Sequence, residues 1–115
     1  MADPRVTQAN IHQTICVAGY TKTIRPPQSY TSTLKRQQMV AYGFTDDIAL
    51  HEEDHEISLE LGGSPTDPKN LWPEPGAAPN AKDGIESLLH ARVCSGQITL
   101  ATAQQQISTN WTAVK

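Results

Sequence analysis

The stretch HEEDHEISLELGGSPTDPKNLWPEP, His51 to Pro75, decides how this chain is read. It sets Glu52, Glu53, Asp54, Glu56 and Glu60 around His55, follows them with Gly62-Gly63, and closes on Asn70-Leu71-Trp72-Pro73. Ile57, Leu59 and Leu61 recur at a period of two, which predicts a strand over 57–61 and a weaker one before it, from Ile48 and Leu50. Gly62-Gly63 breaks the chain, and SPTDPKN has loop chemistry. A carboxylate beside an imidazole can do two separate jobs. Its oxygens are hard ligands suited to Mg²⁺ or a similar divalent ion. The imidazole, with an ordinary pKa of about 6.5, can take a proton from water near neutrality. Glu52, Glu53, Asp54 and Glu56 would each favour the imidazolium and blunt such a base, and a bound dication would push the other way. On Asp54-His55 alone, the plainer reading is a solvated acidic turn with an incidental histidine.

The rest of the chain bounds the problem. Its 115 residues make one domain with one modest core, and an apolar fraction of 37% with eight prolines and seven glycines predicts long connections. No apolar run is long enough to span a membrane. The opening MADPRVTQAN has neither a basic leader nor an apolar stretch, so the expected location is cytoplasmic, or secreted or periplasmic if a leader was removed. Charge is uneven. Arg5, Lys22, Arg25, Lys35 and Arg36 dominate residues 1–44, whereas acids outnumber bases beyond them and bring the total to −3. A basic half can meet polyanions and an acidic half can gather cations, although a solvated surface would look the same. Cys16 and Cys94 do not have zinc-knuckle spacing; they form either one disulfide across a long loop or two buried thiols.

Hydrophobic periodicity sketches the other elements. Val6, Ile11 and Ile15 predict a short helix over 6–16, and Pro26-Pro27 predict an extended arm over 21–30. A helix is expected from Thr31 to Tyr42, with Leu34, Met39 and Tyr42 inward, Lys35 and Arg36 outward, and Gly43 at its end. Two helices close the chain. One carries Ile85, Leu88, Leu89 and Val93 between an Asn80 cap and Gly96; the other carries Leu100, Ala103, Ile107 and Trp111 behind a Thr99 cap. These stripes are core. The fold class is α+β: a small, mostly helical domain around a hairpin–helix core.

The spacing of the central stretch adds specificity. It reads Asp54-His55, six residues, Gly62-Gly63, six residues, Asn70-Leu71. Here the chain resembles the HNH nucleases, the group built on a ββα-metal finger. More narrowly, it is similar to small bacterial HNH-like proteins that share DH, LELGG and NLWP followed by a KD..E..L…VC.G pattern. This chain has DHEISLELGGSPTDPKNLWPEP, then AKDGIESLLHARVCSG, then AQQQISTNW, with ICVAGYTKTIRPPQSYT upstream. The resemblance implies a basic helical and extended part at 1–44, a ββα-metal core at 48–95 and a C-terminal helix at 99–112.

It also implies roles. Asp54 would be a metal ligand, His55 the general base, Asn70 the residue that orients His55, and Gly62-Gly63 the turn between the strands. A second ligand would fall nine or ten residues after Asn70, at Pro79, which cannot ligate, or Asn80, which can; Asp83 is the fallback. The implied ion is Mg²⁺, with Mn²⁺ or Zn²⁺ as alternatives. The implied substrate is DNA, or else RNA, with Arg25, Lys35 and Arg36 as contacts to the nucleic-acid backbone. Glu56 stands where many relatives carry an apolar residue, and Ser58 where they carry proline. No zinc-binding cysteine set follows, so packing must hold the finger. Trp72, with Pro73 and Pro75, serves that purpose or else stacks on a base. The rival to a nuclease is a silent HNH-like binding module that acts through a protein partner; a structural protein with a cation-binding acidic turn is a third reading. No membrane partner is expected.

Overall fold

Two short antiparallel strands form a hairpin against which the longer of two preceding helices packs, and two more helices follow it in the chain. The computed structural model describes residues 1–75 and 81–114. In chain order these form a three-ten turn at Gln8–Gln13, α1 at Tyr20–Ile24, α2 at Gln28–Ala41 and β1 at His51–His55. Three-ten turns at Leu59–Leu61 and Pro68–Asn70 lead into β2 at Leu71–Pro75, followed by α3 at Ala81–Cys94 and α4 at Leu100–Thr109. The result is the expected small α+β fold, mostly helical, with a two-stranded hairpin followed by helices.

The strand expected over 57–61 is not there. Ile57, Leu59 and Leu61 are all buried, so their period-two pattern does mark an inward-facing segment. Their backbone, however, finds other partners. The Ile57 N–H and carbonyl are both bound by the Asn70 side chain, and the Leu61 N–H donates to the Ser58 carbonyl within a turn. The true first strand is HEEDH, whose acids are depleted in strands generally. It pairs with β2 in the register His51 to Pro75, Asp54 to Trp72 and His55 to Leu71. Gly62-Gly63 therefore do not form a tight hairpin turn but sit inside the long connection from Glu56 to Asn70.

Other departures have local causes. Val6, Ile11 and Ile15 are buried as expected, but through a three-ten turn rather than an α-helix. The expected arm over 21–30 is largely helical. α1 ends at Ile24 and α2 starts at Gln28, because Pro27 suits a position just outside a helix start. Tyr42 is exposed, and Gln38 is buried instead, donating to the carbonyls of Leu71 (2.8 Å) and Pro68 (3.3 Å) and so tying α2 to β2. In α3, Leu89 and Val93 are buried while Leu88 stays exposed. α4 buries Leu100, Ala103 and Ile107 behind a Thr99 cap whose hydroxyl accepts from the Thr102 N–H. The Asn80 cap lies outside the described residues.

The core joins Val6, Ile11 and Ile15 to Ile57, Leu61, Leu89, Val93, Leu100, Ala103 and Ile107. Cys16 and Cys94 are bonded across a sequence separation of 78. Closing a loop of that length restricts the unfolded chain, a contribution of about 4–5 kcal/mol. The bond also anchors the segment leading into α1, which brings Arg25 toward the hairpin. Among the described residues, no helix is long and apolar enough to cross a membrane.

Candidate functional site

Alternation along β1 sorts the crowded acids. Residues facing each other across an antiparallel pair share a face, so Glu52 and Asp54 lie with Trp72 and Glu74, while His51, Glu53 and His55 lie with Leu71 and Pro73. A cleft of about 280 Å³ runs along β1, lined by Glu52, Glu53, Asp54 and His55, by Arg25 and Thr21, and by Asp83 and Glu86 of α3. The structure therefore brings Asp54, His55, Asp83 and Arg25 to one hollow.

His55 is ready to accept a proton. Its Nε2 lies 3.0 Å from the Pro65 carbonyl, which can only accept, so Nε2 carries the hydrogen and Nδ1 keeps its lone pair. Burial holds its pKa below the ordinary imidazole value, against the Pro65 hydrogen bond and the Asp54 charge, and Arg25 and Lys82 lower it further. The ring is neutral at pH 7. His51, four residues earlier on the same face, is its opposite. Nδ1 donates to the Pro73 carbonyl at 2.9 Å and Nε2 to the Asp46 carboxylate at 2.8 Å. With both ring nitrogens donating, His51 is an imidazolium, and the Pro73 bond followed by Asp46 raises its pKa. Phe44 packs against its ring with centroids 4.4 Å apart.

Asp54, 8% exposed, does not face open water. The Lys82 ammonium donates to its Oδ2 at 2.6 Å, and also to the carbonyls of His55 (3.2 Å) and Glu56 (3.1 Å). This lysine is only 4% exposed. One ammonium sits among several acids, and the excess negative charge is visible in their protonation. Burial, then Asp54, holds Glu74 up to about 7, and burial, then Asp54, holds Glu86 up to about 8. Glu53, with neither carboxylate oxygen hydrogen-bonded, is raised to about 7 by burial.

Asn70 has a different task from the one expected. Its side-chain amide donates to the carbonyls of Ile57 and Ser64, both at 3.0 Å. Its oxygen accepts from the Ile57 N–H at 3.0 Å and from the Met1 amino group at 3.1 Å. An amide has two donors and two acceptor sites, so none remains for His55. Asn70 instead staples the 57–64 loop, next to which Pro65 presents its carbonyl to His55. The double glycine serves the same loop. Gly62 takes a left-handed backbone (φ 77°), and a Cβ on Gly63 would stand 1.7 Å from the Ile57 carbonyl oxygen and 2.9 Å from Asn70 Nδ2.

The fit to a divalent ion can be tested on the oxygens. Asp54 and Glu74 share one face of the hairpin, and burial and then the Asp54 charge hold the Glu74 carboxyl up to about 7. The buried Glu74 Oε2 has no hydrogen-bond partner among the described residues, so hard donors with surplus negative charge gather there. Among the described residues, no group of three His, Cys, Asp or Glu side chains converges as a metal cluster. Asp54 and Asp83 line one cleft and offer it carboxylate oxygens of the kind Mg²⁺ takes one or two of beside its waters, while Lys82 already donates to Asp54 Oδ2. Asn80 lies outside the described residues.

The basic candidates divide. Arg25 lines the cleft; Lys35 and Arg36 do not. Lys35 acts electrostatically on Glu53 and His51, and Arg36 donates to the Thr33 hydroxyl at 3.2 Å on the exposed side of α2. Lys82 is the residue that sequence reasoning missed, although it lies within the quoted KD..E..L pattern. A cation in the first turn of a helix is disfavoured by the helix dipole, which was a signal that Lys82 has an anionic partner. Glu86 belongs to the same pattern and is equally buried, at 6% exposed. No protein-family model, no curated protein and no solved structure matches the chain, and the site is therefore interpreted from its own geometry.

Proposed function

We propose that the chain is a metal-dependent nuclease of the HNH kind, hydrolysing phosphodiester bonds with His55 as general base. The observation that carries this reading is a neutral imidazole, its tautomer set by the Pro65 carbonyl, beside Asp54 and Arg25 in one cleft. His55 Nδ1 takes the proton from a water as that water attacks phosphorus. Arg25 meets the phosphate, independently of base sequence. Asn70 and Gly63 hold the loop that keeps the ring in place. A divalent ion, when bound, supplies Lewis-acid stabilisation of charge on the phosphate and leaving oxygens; Asp54 would hold it, with Asp83 or Asn80. DNA is the substrate, with RNA as the alternative. The Cys16–Cys94 bond favours an oxidising compartment, secreted or periplasmic.

One observation favours a second reading. Lys82 already neutralises Asp54, as it would in a silent HNH-like module that acts through a protein partner. Supercoiled plasmid incubated with Mg²⁺ or Mn²⁺ separates the two, with EDTA and His55→Ala as controls. Losing a general base typically slows a reaction by about 10²–10⁴, so the variant should fold and barely nick. Nicking that survives both controls sinks the nuclease. Metal uptake by calorimetry without any nicking selects the module.

A further inference from the structure

A second cleft, of about 310 Å³, opens on the other side of the Asp54–Lys82 pair. It is lined by Trp72, Trp111 and Tyr42 over a floor of Leu71 and Ile107, with Glu56, Lys69, Glu74, Lys82 and Ser108 completing it. The whole chain has two tryptophans, and both are here. Neither is fully buried. Trp111 packs against the edge of the core, and of the two tasks expected of Trp72, packing the finger or stacking on a base, the partly exposed rings gathered at one cleft favour the second. Lys82 lines this cleft and donates to Asp54, so the wall of this cleft is the back of the candidate site.

We propose that this cleft is a stacking site for an unpaired nucleobase, so that the substrate is single-stranded, or locally opened, nucleic acid. The inference rests on the reading of the chain as acting on nucleic acid and adds the form of that substrate. Every base has a π-face, and covering a half-exposed indole with one removes apolar surface from both partners. In a duplex both faces of a base are already stacked, so the cleft selects a splayed or unpaired nucleotide. Glu56, Lys69 and Ser108 offer acceptors and donors for a base edge, and exposed Lys69 meets a neighbouring phosphate. With few basic residues at hand, stacking rather than charge carries the affinity, and the dependence on salt is shallow.

Tryptophan emission reports on this cleft alone, because both indoles line it. The whole protein is titrated in EDTA with a short single-stranded oligonucleotide, with its duplex form, with AMP and with ribose 5-phosphate. The single strand should quench emission to saturation, the duplex should bind at least tenfold more weakly, and AMP should quench where ribose 5-phosphate does not. Trp111→Ala should weaken single-strand binding by roughly five- to hundredfold, as removal of a stacking ring does. Trp111→Phe, which keeps an aromatic ring, should retain most of it. Equal quenching by duplex and single strand, or by ribose 5-phosphate and AMP, overturns the proposal. Absence of quenching in a protein that still nicks plasmid overturns it while leaving the nuclease standing; quenching without nicking supports it and selects the module.

Discussion

Asn70→Ala tests the residue whose side chain hydrogen-bonds the 57–64 loop where a bond to His55 was expected. The side chain is fully buried, and three of its bonds, each 3.0 Å, go to the Ile57 N–H, the Ile57 carbonyl and the Ser64 carbonyl. Truncation strands those groups at a position that is 0% exposed in the folded chain. A buried orphan costs about 1–3 kcal/mol, and Ser64, half-buried, recovers part of its loss from water. The expected destabilisation is therefore roughly 3–5 kcal/mol, a large share of the ~5–15 kcal/mol typical of a domain. In urea, with a slope of about 2 kcal/mol/M, the midpoint should fall by roughly 2 M with little change in slope. Asn70→Asp keeps the shape but turns a donor toward two carbonyls into an acceptor. It should be no better than alanine at neutral pH and should recover at acid pH, where the protonated carboxyl can donate again. If Asn70→Ala instead stays within about 0.5 kcal/mol of the wild type while activity disappears, the staple is wrong and a direct role at His55 returns.

Two further predictions concern stability. Glu53 and Glu74, held up to about 7, and Glu86, held up to about 8, retain protons in the folded chain that the unfolded chain releases near 4.5. Their favourable contribution is complete at pH values below about 4.5 and is lost as pH rises through 7–8; the raised pKa of His51 acts in the same direction at higher pH. The largest share belongs to Glu86, the most buried of the three residues and the one held highest. Stability should fall by roughly 2 kcal/mol between pH 5.5 and 8.5, and Glu86→Gln should flatten the profile; a urea midpoint that rises with pH would contradict this. Gly63→Ala and Gly84→Ala should have opposite signs. The first forces a Cβ to 1.7 Å from the Ile57 carbonyl oxygen and should prevent folding or lower the melting temperature sharply; the second, inside α3 with nothing within 4 Å, should stabilise by about 0.5–1 kcal/mol. Thermal melts of both settle the point.

The two histidines of β1 show how one short strand supports opposite protonation states. His51 and His55 share a face, yet one is an imidazolium between a carboxylate and a carbonyl, and the other is a neutral ring with a single carbonyl partner. Burial alone would push both toward neutrality. What separates them is the placement of Asp46, which the loop before β1 delivers to His51 Nε2, whereas His55 Nε2 meets the neutral Pro65 carbonyl.

The residues themselves determined the inward positions Leu89 and Val93 of α3 and Leu100, Ala103 and Ile107 of α4, though not Leu88, which is exposed, nor Trp111, which falls in a three-ten turn past α4. They also determined the Thr99 cap, the adjacency of Asp54 and His55, and the inward set Ile57, Leu59 and Leu61. Each of these depends on spacing within a few residues, where side-chain periodicity and capping chemistry act. Tertiary structure alone decided where that inward set leaves the strand path, because the choice between a ladder and a turn was made by the Asn70 amide, distant in sequence and brought close by the loop. It decided that Cys16 and Cys94 meet, a question of separation across the whole domain. It also decided that the cation beside Asp54 is Lys82, since a helix start and a strand end must pack together before their charges can pair. Local sequence carries short-range preference; long-range hydrogen bonds and ion pairs exist only once burial has removed the competing water.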